Sequence, residues 1–282
     1  MKFALLAIDL DGTLLDSQHA LPAANRAALH RAHEAGLKIV LCTGRSYTET
    51  RGVIQDIGLD LDAAVSVFGA LVTEVRTGRT LYRDPIDAEV ARDATAWFRR
   101  DGYPVMWLTD ADECGHDGYI VAGPRRHPAV DGWKERSACV VHEVEDVPPG
   151  AAAPVRLSII DESAALEEIA ARLTTAFDGR LVHNVLHAPP YRLSLIEAFA
   201  AHVNKWLAIE RLCRRWGIDP RWTVAMGDDV NDLAMIRGAG LGVAMGNARP
   251  VVQAAAQRVI GTNDAAGVAG LIHELLDGGA AA

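Results

Sequence analysis

The sequence predicts an α/β fold: a doubly wound, mostly parallel sheet carrying an inserted α+β domain. Three observations support that expectation. Short apolar runs stop abruptly at small or acidic residues, as buried parallel strands do where they hand over to loops. Helical patterns closed by glycine separate those runs, which places helices on both faces of one sheet. The middle of the chain breaks the alternation with several strand-like runs in succession.

Taken in order, Phe3 to Leu10 reads as a strand running into Asp11-Gly12-Thr13, and Pro22 to Ala35 as a helix closed by Gly36. Leu37 to Cys42 runs into Thr43-Gly44-Arg45, with Arg45 opening the next helix, and Ala63 to Phe68 ends at Gly69. The change of character sets an insert at 85–197 within a layer made of 1–84 and 198–282. The insert begins with a helix, Ala88 to Arg100, stopped by Asp101-Gly102. Strand-like runs follow at Val105 to Leu108, Tyr119 to Val121 and Cys139 to Val144. After a Pro/Gly/Ala turn come strand Val155 to Ile160, helix Ser163 to Phe177, and strands Leu181 to Leu186 and Tyr191 to Ile196. Such an order implies antiparallel pairing and a domain of its own. The alternation then resumes with helix Lys205 to Trp216 before Gly217 and strand Thr223 to Met226 before Gly227-Asp228-Asp229. Helix Asp232 to Arg237 and strand Leu241 to Met245 complete it, and the tail Gly278 to Ala282 is expected to fray.

Composition mainly excludes. At about 100–200 residues per domain, 282 residues make one large or two modest domains, with a core that needs no disulfide staples. The 28 Lys plus Arg against 37 Asp plus Glu leave a net charge of −9, which offers no electrostatic footprint for a nucleic-acid backbone. Cys42, Cys114, Cys139 and Cys213 lie far apart, without a CxxC pair, so reduced thiols are expected. No apolar segment approaches the roughly 18 residues of a membrane span, and acidic residues interrupt the N-terminal run before a signal-peptide core is complete. The expectation is a soluble, cytoplasmic protein with no membrane or nucleic-acid partner. Oligomeric state is left open, between monomer and homodimer.

The chemistry gathers where ligands bind in such sheets, at the carboxyl ends of the strands. Asp9, Asp11, Thr43 and Asp228 all fall there. Asp9 and Asp11 alternate, so on a continuing strand both project to one side while Leu10 enters the core. Paired carboxylates repel, and a hard cation such as Mg²⁺ with oxygen ligands relieves the repulsion. In Gly227-Asp228-Asp229-Val230-Asn231-Asp232 three carboxylates crowd one turn, a cation signature that also reads as an N-cap cluster. Thr43 can donate a hydroxyl, and Gly44 leaves its N–H accessible, although a Thr-Gly pair alone reads as a turn. Lys205 opens an amphipathic helix where its charge opposes the helix dipole; a solvated lysine is the plain alternative.

Together, Asp9-Leu10-Asp11-Gly12-Thr13, Thr43-Gly44-Arg45, Lys205 and the 227–232 cluster resemble, in order, the four motifs of the haloacid dehalogenase-like phosphatase superfamily. The segment AGLGVAMGNA (Ala239 to Ala248) and the position of the insert resemble its Cof-type branch. The resemblance implies a Rossmann-like catalytic core with a large α/β cap at 85–197 that selects the substrate. It implies Mg²⁺-dependent hydrolysis of small phosphorylated metabolites, sugar phosphates foremost, through an aspartyl-phosphate. Asp9 is then the nucleophile, Asp11 the general acid and later base, and Lys205 a charge clamp. Thr43, Gly44 and Asn231 would contact the phosphate. The metal would take the Asp9 and Asp228 side chains and the Asp11 backbone carbonyl, with Asp232 behind them orienting Lys205 or a metal-bound water. An acid role asks Asp11 for a raised pKa, which closeness to Asp9 favours and a metal opposes. Asp229 reads as loop surface, and Arg45 as a brace or substrate contact.

One departure stands at Phe68-Gly69-Ala70, where many Cof-type sequences have Asn-Gly-Ala. Within the insert, Trp107, His116, Arg125, Arg126 and Tyr191 lie where the family selects substrate, and each also reads as structural. The alternatives are a phosphomutase, which returns the phosphoryl group to its substrate, and a catalytically idle binding or regulatory module.

Overall fold

The computed structural model describes residues 2–188 and 193–278. Strand β1 (Leu5–Asp9) turns through Leu10–Leu14 into α1 (Ala23–Glu34), followed by β2 (Lys38–Cys42), α2 (Tyr47–Ile57), β3 (Ala63–Ser66), β4 (Leu71–Glu74) and β5 (Thr80–Arg83). Next come α3 (Ala88–Arg100), β6 (Val105–Leu108), α4 (Ala111–Cys114), β7 (Gly118–Val121), α5 (Pro128–Arg136) and β8 (Val141–Val144). β9 (Arg156–Glu162), α6 (Ser163–Ala176), β10 (Leu181–Ala188) and β11 (Leu193–Ala200) follow. The chain closes with α7 (Lys205–Trp216), β12 (Thr223–Gly227), α8 (Leu233–Gly238), β13 (Leu241–Ala244), α9 (Pro250–Ala255), β14 (Arg258–Val259) and α10 (Gly267–Asp277). Contacts divide it into two units, 1–81 with 204–282, and 82–203.

The first unit holds a sheet ordered β14-β13-β12-β1-β2-β3-β4-β5, parallel from β14 to β3, with β4 antiparallel to β3. All five residues of β1 are buried, as an apolar strand covered on both faces must be. Leu6, Ile8, Ile39, Leu41, Val224, Met226 and Val243 form the core with Leu29 of α1 and Ile272 of α10. Each such side chain contributes about 1.5–3 kcal/mol when fully buried. Register then sets the site: Asp9 pairs with Cys42, Ile8 with Met226, and Gly227 with Ala244. Residues after β1, β2 and β12 therefore leave the sheet at one carboxyl edge.

Several boundaries differ from the sequence expectation, among them the strand expected at Tyr191 to Ile196, which is described as β11, Leu193–Ala200, and two next to the carboxyl edge of the first sheet. The run expected to continue as strand to Phe68 stops at Ser66, because Val67, Phe68 and Gly69 all take positive φ. The helix expected from Asp232 starts at Leu233, after a 3₁₀ turn, Val230–Asp232, capped by the Asp229 side chain.

The second unit is a six-stranded sheet ordered β10-β11-β9-β6-β7-β8. Its described pairings are antiparallel except β7 with β8, which run parallel because α5 carries the chain back between them. Helix α3 packs on β6 and β9, and α6 on β9, β10 and β11. Within this sheet Arg156 and Glu197, both buried, form an ion pair at 2.7 Å. Tyr191 and residues 279–282 of the expected tail lie outside the described residues. All four cysteines are free, and no helix among the described residues is long and apolar enough to cross a membrane.

Candidate active site

Asp9 ends β1 and is 5% exposed. Gly12 then turns the chain with φ +80°, and a Cβ there would sit 2.7 Å from the Asp228 carboxyl carbon. Only glycine allows the two loops this approach. Thr13 Oγ1 donates to Asp228 Oδ1 at 3.1 Å. From the segment after β13, Asn247 Nδ2 donates to the Gly12 carbonyl at 2.8 Å and the Arg249 N–H to the Asp228 carbonyl at 3.0 Å. That segment pins both acidic loops.

Lys205 is the first residue of α7, after Asn204, whose side chain caps the helix by accepting from the Leu207 N–H at 3.0 Å. It is 0% exposed, which rules out a solvated lysine. Its Nζ donates to Asp9 Oδ1 and to Asp232 Oδ1, each at 2.6 Å. The other oxygen of Asp232, also 0% exposed, accepts the N–H groups of Asp228 at 2.9 Å and Asp229 at 3.2 Å. One carboxylate thus ties Lys205 to the loop after β12.

Asp9, Asp228 and Asp232 each bring an oxygen within 4.8 Å of the other two. Three carboxylates gather about one ammonium. Burial and the Asp232 charge raise the Asp9 pKa well above the carboxylate range, and Lys205 only partly counters them. Burial and Asp232 push Asp228 up to about 7 against the Thr13 hydrogen bond. Burial works to discharge Lys205, yet Asp232 and Asp9 outweigh it and hold the ammonium charged. A hard cation fits this donor set: oxygen ligands only, short of positive charge. Asn231 Oδ1 is buried without a hydrogen-bond partner, a place for a water or ligand to complete.

Asp11 departs from expectation. The strand ends at Asp9 and the chain enters the Leu10–Leu14 turn, so the alternation of an extended strand does not run on to Asp11. The Asp11 side chain, 41% exposed, is gripped by Arg45, with Nε donating to Oδ2 at 2.8 Å and Nη2 to Oδ1, and it meets His19 Nδ1 at 3.1 Å. Burial raises its pKa, but the Arg45 hydrogen bond and charge, helped by His19, outweigh burial and hold it below the usual carboxylate value. This is opposite to the shift an acid role asks for. The carboxylate trio brings in Asp232, expected to stand behind; the atom expected from Asp11 is its backbone carbonyl and not its carboxylate.

Thr43 is buried; its N–H donates to the Val65 carbonyl at 2.8 Å and its Oγ1 accepts from the Arg45 N–H at 3.1 Å. No atom crowds the Cβ direction of Gly44, so that side of its backbone is open. Asp229 caps the 3₁₀ turn and pairs with Arg249 at 3.3 Å. Sequence reasoning gave no role to Thr13, Asn247 or His19. Thr13 and Asn247 sat inside quoted motifs. His19 had no periodic signal, for it depends on the Asp16 turn that presents it at φ 58°.

The candidates in the insert are engaged structurally. Trp107 Nε1 donates to the Ala152 carbonyl, and Arg125 stacks on Tyr103 and pairs with Asp161. Arg126 pairs with Asp131 and Glu143, and His116 meets Tyr119 and His142 edge to face.

Comparison with known proteins gives the family. The family profile of haloacid dehalogenase-like hydrolases matches residues 6–272. The phosphatase YwpJ of Bacillus subtilis is 28% identical, with 96% of this chain and 99% of that protein aligned. The pyridoxal phosphate phosphatase YbhA of Escherichia coli is 26% identical over 98% of this chain and all of its own length. A crystal structure of a haloacid dehalogenase-like hydrolase from Bacteroides thetaiotaomicron superposes with a TM-score of 0.81 at 26% identity, covering 97% of this chain and 99% of that one. With the profile spanning both flanks of the insert, this chain is an enzyme of the haloacid dehalogenase-like hydrolase family, in its Cof-type phosphatase branch.

Proposed function

We propose that the enzyme hydrolyses small phosphorylated metabolites, sugar phosphates foremost, in a Mg²⁺-dependent reaction through an aspartyl-phosphate on Asp9. The observation that carries the reading is the buried Lys205 ammonium shared by Asp9 and Asp232 beside Asp228. Phosphoryl transfer needs an in-line nucleophile, a proton donor for the leaving oxygen and positive charge around the equatorial oxygens. The four motifs supply one residue or more for each need.

Bound Mg²⁺, held by the Asp9 and Asp228 carboxylates and the Asp11 carbonyl, would supply the positive charge that lets a phosphate dianion approach Asp9. An Asp9 carboxylate oxygen attacks phosphorus, the ester P–O bond breaks, and the departing alkoxide takes a proton from Asp11. Water then attacks the acyl phosphate and gives a proton to Asp11, and the bond to Asp9 breaks to release phosphate. Asp11 must exchange Arg45 and His19 for the leaving oxygen to act this way. The Thr43 hydroxyl, the Gly44 N–H and the Asn231 amide donate to phosphoryl oxygens. Lys205 balances the charge developing on Asp9 and the phosphoryl group, and Asp232 fixes its direction.

The insert, 85–197, is the cap that chooses the substrate. The Escherichia coli relative named for pyridoxal phosphate supports small phosphorylated metabolites as the class. The test is hydrolysis of para-nitrophenyl phosphate, then a panel of phosphorylated sugars, polyols, nucleotides and cofactors ranked by kcat/KM. Turnover should stop in EDTA and in Asp9→Asn. Metal-independent turnover, or an active Asp9→Asn, overturns the reading.

A further inference from the structure

Three consecutive residues after β3 take positive φ: Val67 at 51°, Phe68 at 61° and Gly69 at 102°. For a β-branched valine and for a phenylalanine this is strained backbone, which persists only where its surroundings over-determine it. All three residues are buried, and two sides hold them. On one side the Val67 N–H donates to the Arg45 carbonyl at 2.9 Å and the Phe68 N–H to the Thr43 carbonyl at 3.1 Å. On the other, Gly69 lies against the start of α7. A Cβ on Gly69 would come within 2.6 Å of the Asn204 carbonyl carbon and 3.0 Å of the Lys205 nitrogen. Main chain alone makes both sets of contacts. The turn is wedged between the backbone that carries Thr43 and Gly44 and the backbone that carries Lys205.

We infer that this turn is a positioning brace: it sets the spacing between the Thr43–Arg45 loop and Lys205, so that hydroxyl and ammonium address one phosphoryl group. The inference rests on the phosphate-binding roles proposed above. Gly69 is the positioning residue, because any side chain there forces the loop and α7 apart. The brace also explains Phe68. A left-handed residue favours asparagine for its backbone, so what this position demands is the turn and not a polar side chain. Phenylalanine serves because the hydrogen bonds to Thr43 and Arg45 hold the conformation.

The test compares Gly69→Ala with Gly78→Ala, which places the same methyl at φ 71° where no atom lies within 4 Å. Steady-state hydrolysis of para-nitrophenyl phosphate gives kcat and the Mg²⁺ activation constant, and calorimetry gives the affinity for orthovanadate. Gly69→Ala should lower kcat at least tenfold and weaken vanadate binding by a similar factor. Its Mg²⁺ activation constant should change by a smaller factor than kcat, because the turn is linked to Asp9 through Lys205. Gly78→Ala should stay within twofold throughout. A folded Gly69→Ala with unchanged kcat and vanadate affinity overturns the brace, as does an equal loss in Gly78→Ala.

If Gly69→Ala does not fold, Phe68→Asn and Phe68→Val decide. A backbone demand predicts that the asparagine variant keeps at least fivefold more kcat than the valine variant. Equal activity or the reverse order overturns the inference. Vanadate calorimetry needs no turnover, so an inactive wild type would count against the phosphatase reading and leave this test standing.

Discussion

Replacing Lys205 by methionine keeps the length and the apolar stem, so the perturbation is the charge. The structure sets its size. Lys205 is wholly buried and makes two hydrogen bonds at 2.6 Å, to Asp9 and to Asp232. Hydrogen bonds to charged groups contribute about 1.5–3 kcal/mol each, and removing one partner of a buried ion pair costs about 3–5 kcal/mol. The two bonds together come to about 3–6 kcal/mol and the ion-pair route to about 3–5, so a loss of about 3–5 kcal/mol is expected for the cation-free protein at pH 8. The pH dependence has a definite sign. Asp9 already has a raised pKa in the folded state, and losing Lys205 raises it further. A raised group contributes stability that is fully present below its unfolded value of about 4 and is lost as pH rises through the folded one. The cost of Lys205→Met should therefore shrink from pH 8 to pH 5. Millimolar Mg²⁺ should restore part of it by binding the folded state alone. Urea unfolding in EDTA at the two pH values, read by tryptophan fluorescence, measures both effects. A loss under about 1 kcal/mol at pH 8, or a cost that grows toward pH 5, would refute the reasoning.

Gly12→Ala drives a methyl into the Asp228 carboxyl at φ +80°, so it should destabilise by about 1–3 kcal/mol or more and raise the Mg²⁺ activation constant at least tenfold. Unfolding and a Mg²⁺ titration of activity check it, and an unchanged activation constant contradicts the contact. Because Asp228 is pushed up to about 7, the cation-free protein should lose stability as pH rises from about 4 through 7. Mg²⁺ binding at pH 6 should then release protons, an effect that fades by pH 8.5; calorimetry in buffers of different ionisation enthalpy reads it, and no release at pH 6 argues against it. In the second unit, Glu197→Gln leaves Arg156 buried beside a neutral partner and should cost about 3–5 kcal/mol in urea unfolding, whereas a neutral outcome would show the pair is not the buried element described.

The parallel layer was legible because its strands must be apolar along their length to be covered on both faces. Leu5–Asp9, Lys38–Cys42 and Thr223–Gly227 therefore stand out in the sequence. Their register then brings Asp9, Thr43 and Asp228 to one edge by geometry alone. Other features depended on backbone conformation that composition does not encode. Apolar Val67 and Phe68 extend a strand pattern, yet they form a left-handed turn because their N–H groups donate to the carbonyls of Arg45 and Thr43, distant in sequence. Asp11 reads as the neighbour of Asp9 on an alternating strand. The Leu10–Leu14 turn ends that alternation, and Arg45 and His19 hold its carboxylate. The parallel β7–β8 pair depends on the crossover through α5, which an α+β element order does not announce.

The central claim is that Asp9 carries the phosphoryl group during turnover. Acid quenching during steady-state hydrolysis, followed by peptide mass spectrometry, tests it most directly. An aspartyl-phosphate on Asp9 gives a phosphorylated peptide containing Asp9, labile in alkali, dependent on Mg²⁺ and lost in Asp9→Asn. Turnover with no phosphorylated peptide at any quench time, or with the phosphoryl group on another residue, would contradict it.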